Sequence, residues 1–232
     1  MAKTYKHIFF DLDRTLWDFD ASSNEAFHDI YETFELKNKG VDSVSSFKKY
    51  YNHHNEILWN QYRAGTLSKE VLRGLRFRLT LKEFNIDNEE LAQQIGLHYV
   101  KISPLLVHLF PNAFQILDYL HQKYQLHIIT NGFSEVQYTK LKVSGLGKYF
   151  KKIITSEEAG VKKPDPKIFE FAFNNAETNA NESLMIGDDP EVDIMGAINI
   201  GMDQVLFDPQ AKLAQNGASY YIKDLIELKK FL

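Results

Sequence analysis

The run His7-Ile8-Phe9-Phe10 ends in Asp11-Leu12-Asp13, and that junction limits what the chain can fold into. Three consecutive apolar residues suit a strand buried on both faces, as in a parallel sheet. A carboxylate at the end of such a strand is costly to desolvate, and two carboxylates two residues apart repel. A divalent cation compensates both costs, and oxygen ligands favour a hard one such as Mg²⁺.

Three further segments have the same character. Leu126-His127-Ile128-Ile129 runs into Thr130-Asn131-Gly132. The stretch Glu157-Glu158-Ala159-Gly160-Val161-Lys162-Lys163-Pro164 presents lysine in a loop. Leu184-Met185-Ile186-Gly187 runs into Asp188-Asp189-Pro190-Glu191-Val192-Asp193. Each predicted strand delivers polar groups at its C-terminal end, the edge where open parallel sheets bind ligands. Carboxylates, a hydroxyl and a lysine on one edge suit phosphoryl transfer with a metal and an aspartate nucleophile.

Between these motifs the chain alternates strand and helix. Strands are expected at 126–130, 152–155, 184–187 and 204–207, with a short one near 220–222. Helices are expected near 112–124, 134–143, 166–176, 191–199 and 224–231. Such alternation predicts a doubly wound, Rossmann-like α/β fold with a mostly parallel sheet. After Asp13 the pattern is helical for about ninety residues. Ser22 or Ser23, Ser45 or Ser46, Ser68, and Asp87 or Asn88 are the expected helix caps. The expected organisation is a core of residues 1–17 and 105–232 with a helical cap of 18–104 inserted after the first strand.

The four motifs, spanning residues 8–193, resemble those of the haloacid dehalogenase superfamily: DxDxT, a strand ending in Thr or Ser, Lys before Pro, and GD followed by a further acid. The phrases Thr130-Asn131-Gly132-Phe133-Ser134-Glu135 and Glu158-Ala159-Gly160-Val161-Lys162-Lys163-Pro164 are similar to the noncanonical pyrimidine nucleotidase family. The resemblance implies that Asp11 is the nucleophile and Asp13 the general acid, then base. It implies that Mg²⁺ is held by the Asp11 and Asp188 side chains and the Asp13 backbone carbonyl. Substrate-binding groups would be the backbone of Leu12, the ordering hydroxyl of Thr15, the Thr130 hydroxyl, an Asn131 amide N–H and Gly132. Lys163, fixed by Pro164 in an extended conformation outside any helix, would offset the negative charge. Asp193 either positions Lys163 or a metal-bound water, or is only a helix N-terminal charge. Asp189 either neighbours the metal or caps the next helix.

The resemblance predicts a small phosphate monoester as substrate, a pyrimidine nucleoside 5′-monophosphate in the first place. Sugar-phosphate or phosphoglycolate phosphatase activity on the same scaffold is the alternative, with phosphomutase further off. A 2-haloacid dehalogenase needs neither Asp13 nor a metal, and a receiver domain would lack the helical insertion. Trp17, Phe19, Trp59 and Tyr62 read as core aromatics that would stack a base only if the insertion folds over the site. The histidines show no ligand spacing, so packed or solvated roles are expected.

Composition narrows the remaining classes. The 232 residues carry a formal charge of −4 and no Lys/Arg block, which argues against a nucleic-acid polymer as partner. With no cysteine, disulfides and thiolate metal sites are excluded. No stretch has the length of a membrane span, and a cytoplasmic protein is expected. Oligomeric state is not legible.

Overall fold

The structure is a computed structural model that describes residues 4–213 and 217–232. In chain order it contains β1 (His7–Phe10), α1 (Phe19–Thr33), α2 (Val44–Arg63), α3 (Lys69–Lys82), α4 (Glu89–Ile102), α5 (Ala113–Leu120), β2 (Gln125–Thr130), α6 (Ser134–Val143), β3 (Phe150–Thr155), α7 (Ser156–Ala159), α8 (Pro166–Ala176), β4 (Ser183–Gly187), α9 (Met195–Asn199), β5 (Asp203–Phe207) and β6 (Tyr220–Ile222). The chain divides into two compact units, one of residues Met1–Phe19 with Val107–Leu232 and one of Asp20–Leu106.

The first unit is a six-stranded sheet in the order β3-β2-β1-β4-β5-β6, with every neighbouring pair parallel. The doubly wound α/β fold expected from the sequence is therefore observed. Alternate residues of the strands enter two separate cores. Ile8, Phe10, Ile128, Ile186 and Val205 pack with α5 residues Ile116 and Leu117 on one face. Phe9, Ile129, Met185 and α8 residues Ile168 and Phe169 fill the other. A strand covered on both sides has no polar face, which is why β1 and β4 read as continuous apolar runs.

The segments entering and leaving the sheet unit are paired. Asp18 N–H donates to His108 O at 2.9 Å and Phe110 N–H to Leu16 O at 3.0 Å. Helix α1 starts directly from this ladder at Phe19, so Ser22 and Ser23 lie inside the helix and are buried, not at its cap. The α2 cap is likewise Ser43, whose Oγ accepts from Ser46 N–H, rather than Ser45 or Ser46. Ser68 and Asn88 cap α3 and α4 as expected, accepting from Val71 and Leu91 N–H.

The second unit holds α1 to α4 around its own aromatic core of Phe27, Phe47, Tyr51, Phe77 and Tyr99. Arg76 is buried here, its guanidinium 5.0 Å from the Tyr99 ring and its Nη1 donating to Asn55 Oδ1 at 3.2 Å. Two expected helices are modified near the sheet. Residues 191–199 open as a wide turn over Pro190–Ile194 before α9, and Leu225–Lys230 winds as a tighter 3₁₀ helix. Among the described residues, no helix is long and apolar enough to cross a membrane.

Two histidines meet inside the sheet near the N-terminal ends of β1 and β2. His7 Nδ1 and His127 Nε2 lie 3.1 Å apart and share one proton, with the rings stacked at 5.3 Å. His127 is wholly buried, Phe9 covers its ring at 4.7 Å, and its Nδ1 has no partner. Burial, aided by His7 and Lys151, holds the His127 imidazole down at about 3. Burial and Lys151 also lower His7. The unfolded chain therefore binds protons near pH 6.5 that the folded chain refuses, and stability is lost as pH falls below that value. Denaturation midpoints measured from pH 7.5 to 4.5 should fall less steeply for His127→Phe than for wild type. The difference is at most about 1.4 kcal/mol per pH unit for one proton. Parallel curves would show that the pair is not acid-sensitive.

Candidate active site

The strand order reverses between β1 and β4, and ligands of such sheets bind at the carboxyl ends beside that point. Phe10 is paired with Ile128 on one side and Ile186 on the other. Asp11, Thr130 and Asp188 consequently leave three adjacent strands at one level. Asp11 N–H still donates to Ile186 O at 2.9 Å, which fixes the backbone just past the strand.

Lys163 is the centre of the arrangement. Its side chain is almost wholly buried, and Nζ lies 2.7 Å from Asp11 Oδ1 and 2.6 Å from Asp193 Oδ1. The loop that carries it turns tightly at this point, outside any helix, and is closed by Asp165 N–H donating to Lys162 O at 2.9 Å. Its Lys163–Pro164 bond is cis. Asn131 fastens this turn to the end of β2. Its Nδ2 donates to Lys163 O at 2.9 Å and its Oδ1 accepts from Lys163 N–H at 2.8 Å. That engagement uses the Asn131 carboxamide oxygen and one of its two Nδ2 hydrogens. Thr130 is buried and its Oγ1 accepts from Gly132 N–H at 3.1 Å.

Asp11, Asp188 and Asp193 bring one oxygen each within 4.8 Å of one another. Burial pushes the Asp11 carboxyl up to about 7, against the pull of Lys163, and Asp193 adds to the rise. Burial also raises Asp193, again opposed by Lys163. Asp188 is held well above the ordinary carboxylate value by burial and then by Asp193 and Asp11. Burial disfavours the charge on Lys163, yet Asp11 and Asp193 keep the ammonium above the usual lysine value. The Lys163 ammonium thus faces Asp11 and Asp193, while at Asp188 the pull of Arg14 is outweighed by burial, Asp193 and Asp11. The excess negative charge and the all-oxygen donor set fit a hard divalent cation.

Asp189 stands apart from this group. Its Oδ1 caps the following turn, accepting from Glu191 N–H at 2.9 Å and Val192 N–H at 3.0 Å. Asp193 reaches back instead, over Gly187, where a β-carbon would lie 2.3 Å from Asp193 Oδ2. Gly187 is therefore required for space, not for turning.

The Asp11–Trp17 segment is a compact loop. Leu12 O accepts from Leu16 N–H at 3.0 Å and Trp17 N–H at 2.9 Å, and Arg14 N–H donates to Trp17 O at 2.7 Å. Thr15 is wholly buried, 3.4 Å from Asp188 Oδ1, and orders the loop. The Leu12 side chain is in the core. The Asp13 carboxylate turns to two residues that the sequence did not single out. Gln137 Nε2 donates to Asp13 Oδ2 at 2.9 Å, and Lys140 Nζ pairs with Asp13 Oδ1. The available signal was α6 itself, whose apolar residues are too few to form a buried stripe. Trp17 is a core residue, while Trp59 and Tyr62 pack edge-to-face at 5.3 Å within the helical unit.

The chain belongs to the haloacid dehalogenase-like hydrolase family, whose model matches residues 8–207. Its fold is similar to the crystal structure of HAD-hydrolase YfnB from Bacillus subtilis bound to magnesium, with TM-score 0.88, 29% identity and 98% of each chain covered. It is 34% identical to pyrimidine 5′-nucleotidase PynA of Streptococcus pneumoniae, over 88% of this chain and 84% of that protein. It is 33% identical to pyrimidine 5′-nucleotidase YjjG of Escherichia coli, over 84% and 82%.

The raised Asp188 carboxyl has a measurable consequence. In excess chelator at pH 7.5, holding the Asp188 carboxyl above its ordinary value costs the fold stability, and Asp188→Asn removes that cost. The variant should melt at or above wild type. Its advantage should shrink as pH falls toward the ordinary carboxylate value of 3.8, below which Asp188 is neutral in the folded and unfolded chains alike. Calorimetry at several pH values measures this, and a lower melting temperature at neutral pH would contradict the electrostatics.

Proposed function

We propose that this hydrolase cleaves phosphate monoesters through an aspartyl-phosphate on Asp11, with nucleoside 5′-monophosphates, pyrimidine ones first, as substrates. The observation that carries the reading is the group Asp11, Asp188 and Asp193 around a single buried Lys163. Two relatives that are pyrimidine 5′-nucleotidases support the substrate class. The magnesium in the YfnB crystal structure supports the metal.

The steps follow from the residues. An Asp11 oxygen attacks phosphorus, the bond from phosphorus to the alkoxide oxygen breaks, and that oxygen takes the proton of Asp13. A water then attacks the same phosphorus, gives its proton to Asp13, and releases inorganic phosphate and the Asp11 carboxylate. Lys163 holds Asp11 in one orientation throughout and offsets charge on the transferring group. The Thr130 hydroxyl and the main-chain N–H groups after Asp11 bind the phosphoryl oxygens. Mg²⁺, held by the Asp11 and Asp188 side chains and the Asp13 carbonyl, would neutralise charge building on those oxygens. Asp193 positions Lys163. The helical unit, residues 20–106, is proposed as the cap that selects among monophosphates.

Chelation should abolish phosphate release and Mg²⁺ should restore it. Added Mg²⁺ should raise the melting temperature of wild type more than that of Asp188→Asn. Full activity in excess chelator would remove the metal from the mechanism.

A second prediction separates the two aspartates. With an activated aryl phosphate, Asp13→Asn should release a rapid burst of aryl alcohol near one equivalent per site, then turn over slowly. Asp11→Asn should give no burst. General acid–base assistance is worth roughly 10²–10⁴-fold, so Asp13→Asn should lose about that much on a nucleoside monophosphate. Wild-type rates on both substrates would end the acid–base role. A panel of nucleoside and sugar monophosphates then ranks the substrates.

A further inference from the structure

Helix α6 buries polar residues where a helix beside a sheet ordinarily buries apolar ones. Gln137 and Lys140, three residues apart on one face, are 1% and 3% exposed. Unpartnered, each would be costly at such a position. Both partner the same group, one on each oxygen of the Asp13 carboxylate. The Lys140 ammonium also lies 5.0 Å from the Trp17 ring centroid and 5.4 Å from that of Phe19. Gln137 Oε1 is buried with no partner, so Asp13 is what orients the amide.

The preceding loop makes room for this contact. A β-carbon on Gly132 would fall 2.0 Å from Gln137 Nε2 and 2.6 Å from its Cδ. No side chain is compatible with that approach, and Gly132 has an ordinary negative φ. Gly132 is thus the gap through which Gln137 reaches Asp13.

We propose that Lys140 and Gln137 are positioning residues for proton transfer, clamping Asp13 from the protein side while Gly132 admits the clamp. A carboxylate has about four acceptor sites. The clamp uses one on each oxygen, and the Asp13 side chain remains 25% exposed. Its open side is therefore presented in a fixed orientation. A buried ion pair is a weak source of stability compared with apolar packing, so packing alone gives no reason to place it here. A carboxylate that must meet a leaving oxygen and then a water benefits from being held, because misplacement by about 1 Å can cost 10²-fold in rate.

The inference rests on Asp13 as the proton carrier, and leaving-group dependence tests both statements separately. Lys140→Met, Gln137→Leu, Gly132→Ala, Lys140→Arg and Asp13→Asn are compared on an alkyl monophosphate and on an activated aryl phosphate. Steady-state turnover of the first needs protonation of the leaving oxygen, whereas the burst of the second does not. For Lys140→Met, Gln137→Leu and Gly132→Ala, the loss of kcat on the alkyl ester should exceed the loss of burst rate by about tenfold or more, with KM changing less. Lys140→Arg should recover most of the loss. Equal losses on both substrates would mean a merely structural role, and unchanged alkyl turnover would mean none, so either overturns the proposal. If Asp13→Asn shows the leaving-group effect and these variants do not, only the clamp fails. If Asp13→Asn itself shows none, the acid–base reading falls and the clamp with it. Gln137→Leu and Gly132→Ala preserve the charge balance, so they decide the matter should Lys140→Met be poorly folded.

Discussion

One buried ammonium organises the carboxyl edge of the sheet. Lys163 reaches Asp11 after β1 and Asp193 after β4, while its own backbone is held by Asn131 after β2. A single residue thereby ties the ends of three adjacent strands. Taking these charges out of water is expensive, and removing one partner of such a group leaves the others uncompensated. The arrangement is tolerable because the lysine divides its charge between two carboxylates. Asp188 lies outside that pairing, and burial with Asp193 and Asp11 outweighs the pull of Arg14 on it, so the cluster keeps an excess of negative charge that a hard cation would fit.

The strands and the acids at their ends were legible because they follow from local rules. Consecutive apolar residues mark a sheet buried on both faces, and a carboxylate at the strand end marks a ligand edge. Ser68 and Asn88 were legible as caps for the same reason. Ser22 and Ser23 misled because the start of α1 is set by Asp18 donating to His108, a contact across ninety residues of chain. The clamp on Asp13 was hidden for a related reason. Gln137 and Lys140 look like surface residues of a polar helix until that helix is laid against the loop after β1. The His7–His127 pair required knowing that β1 and β2 are neighbours in register.

Two motif glycines provide space rather than a turn. Gly132 and Gly187 follow strands and look like turn residues, yet neither has a positive φ. Each leaves a gap that a polar side chain from the next helical segment crosses, Gln137 over the first and Asp193 over the second. The repetition is geometric. In a parallel sheet the chain leaves each strand at the same edge and turns back, and its first helical turns pass close over the strand end. Glycine there lets the returning segment place a side chain beside the neighbouring strand's acid.

The position of β1 has a consequence for how the chain is made. Its neighbours are β2, more than a hundred residues later, and β4, later still. A four-residue apolar strand leaves the ribosome with nothing in the sheet to pair with. The helical unit that follows draws its aromatic core from residues 27–99, all of them made before β2. The sheet must be completed around that insertion, with β1 waiting for both sides. Lys163 cannot engage Asp11 and Asp193 together until residue 193 of 232 has been made. A chain cut short between residues 163 and 193 has Lys163 and Asp11 but lacks the second carboxylate of that buried ammonium.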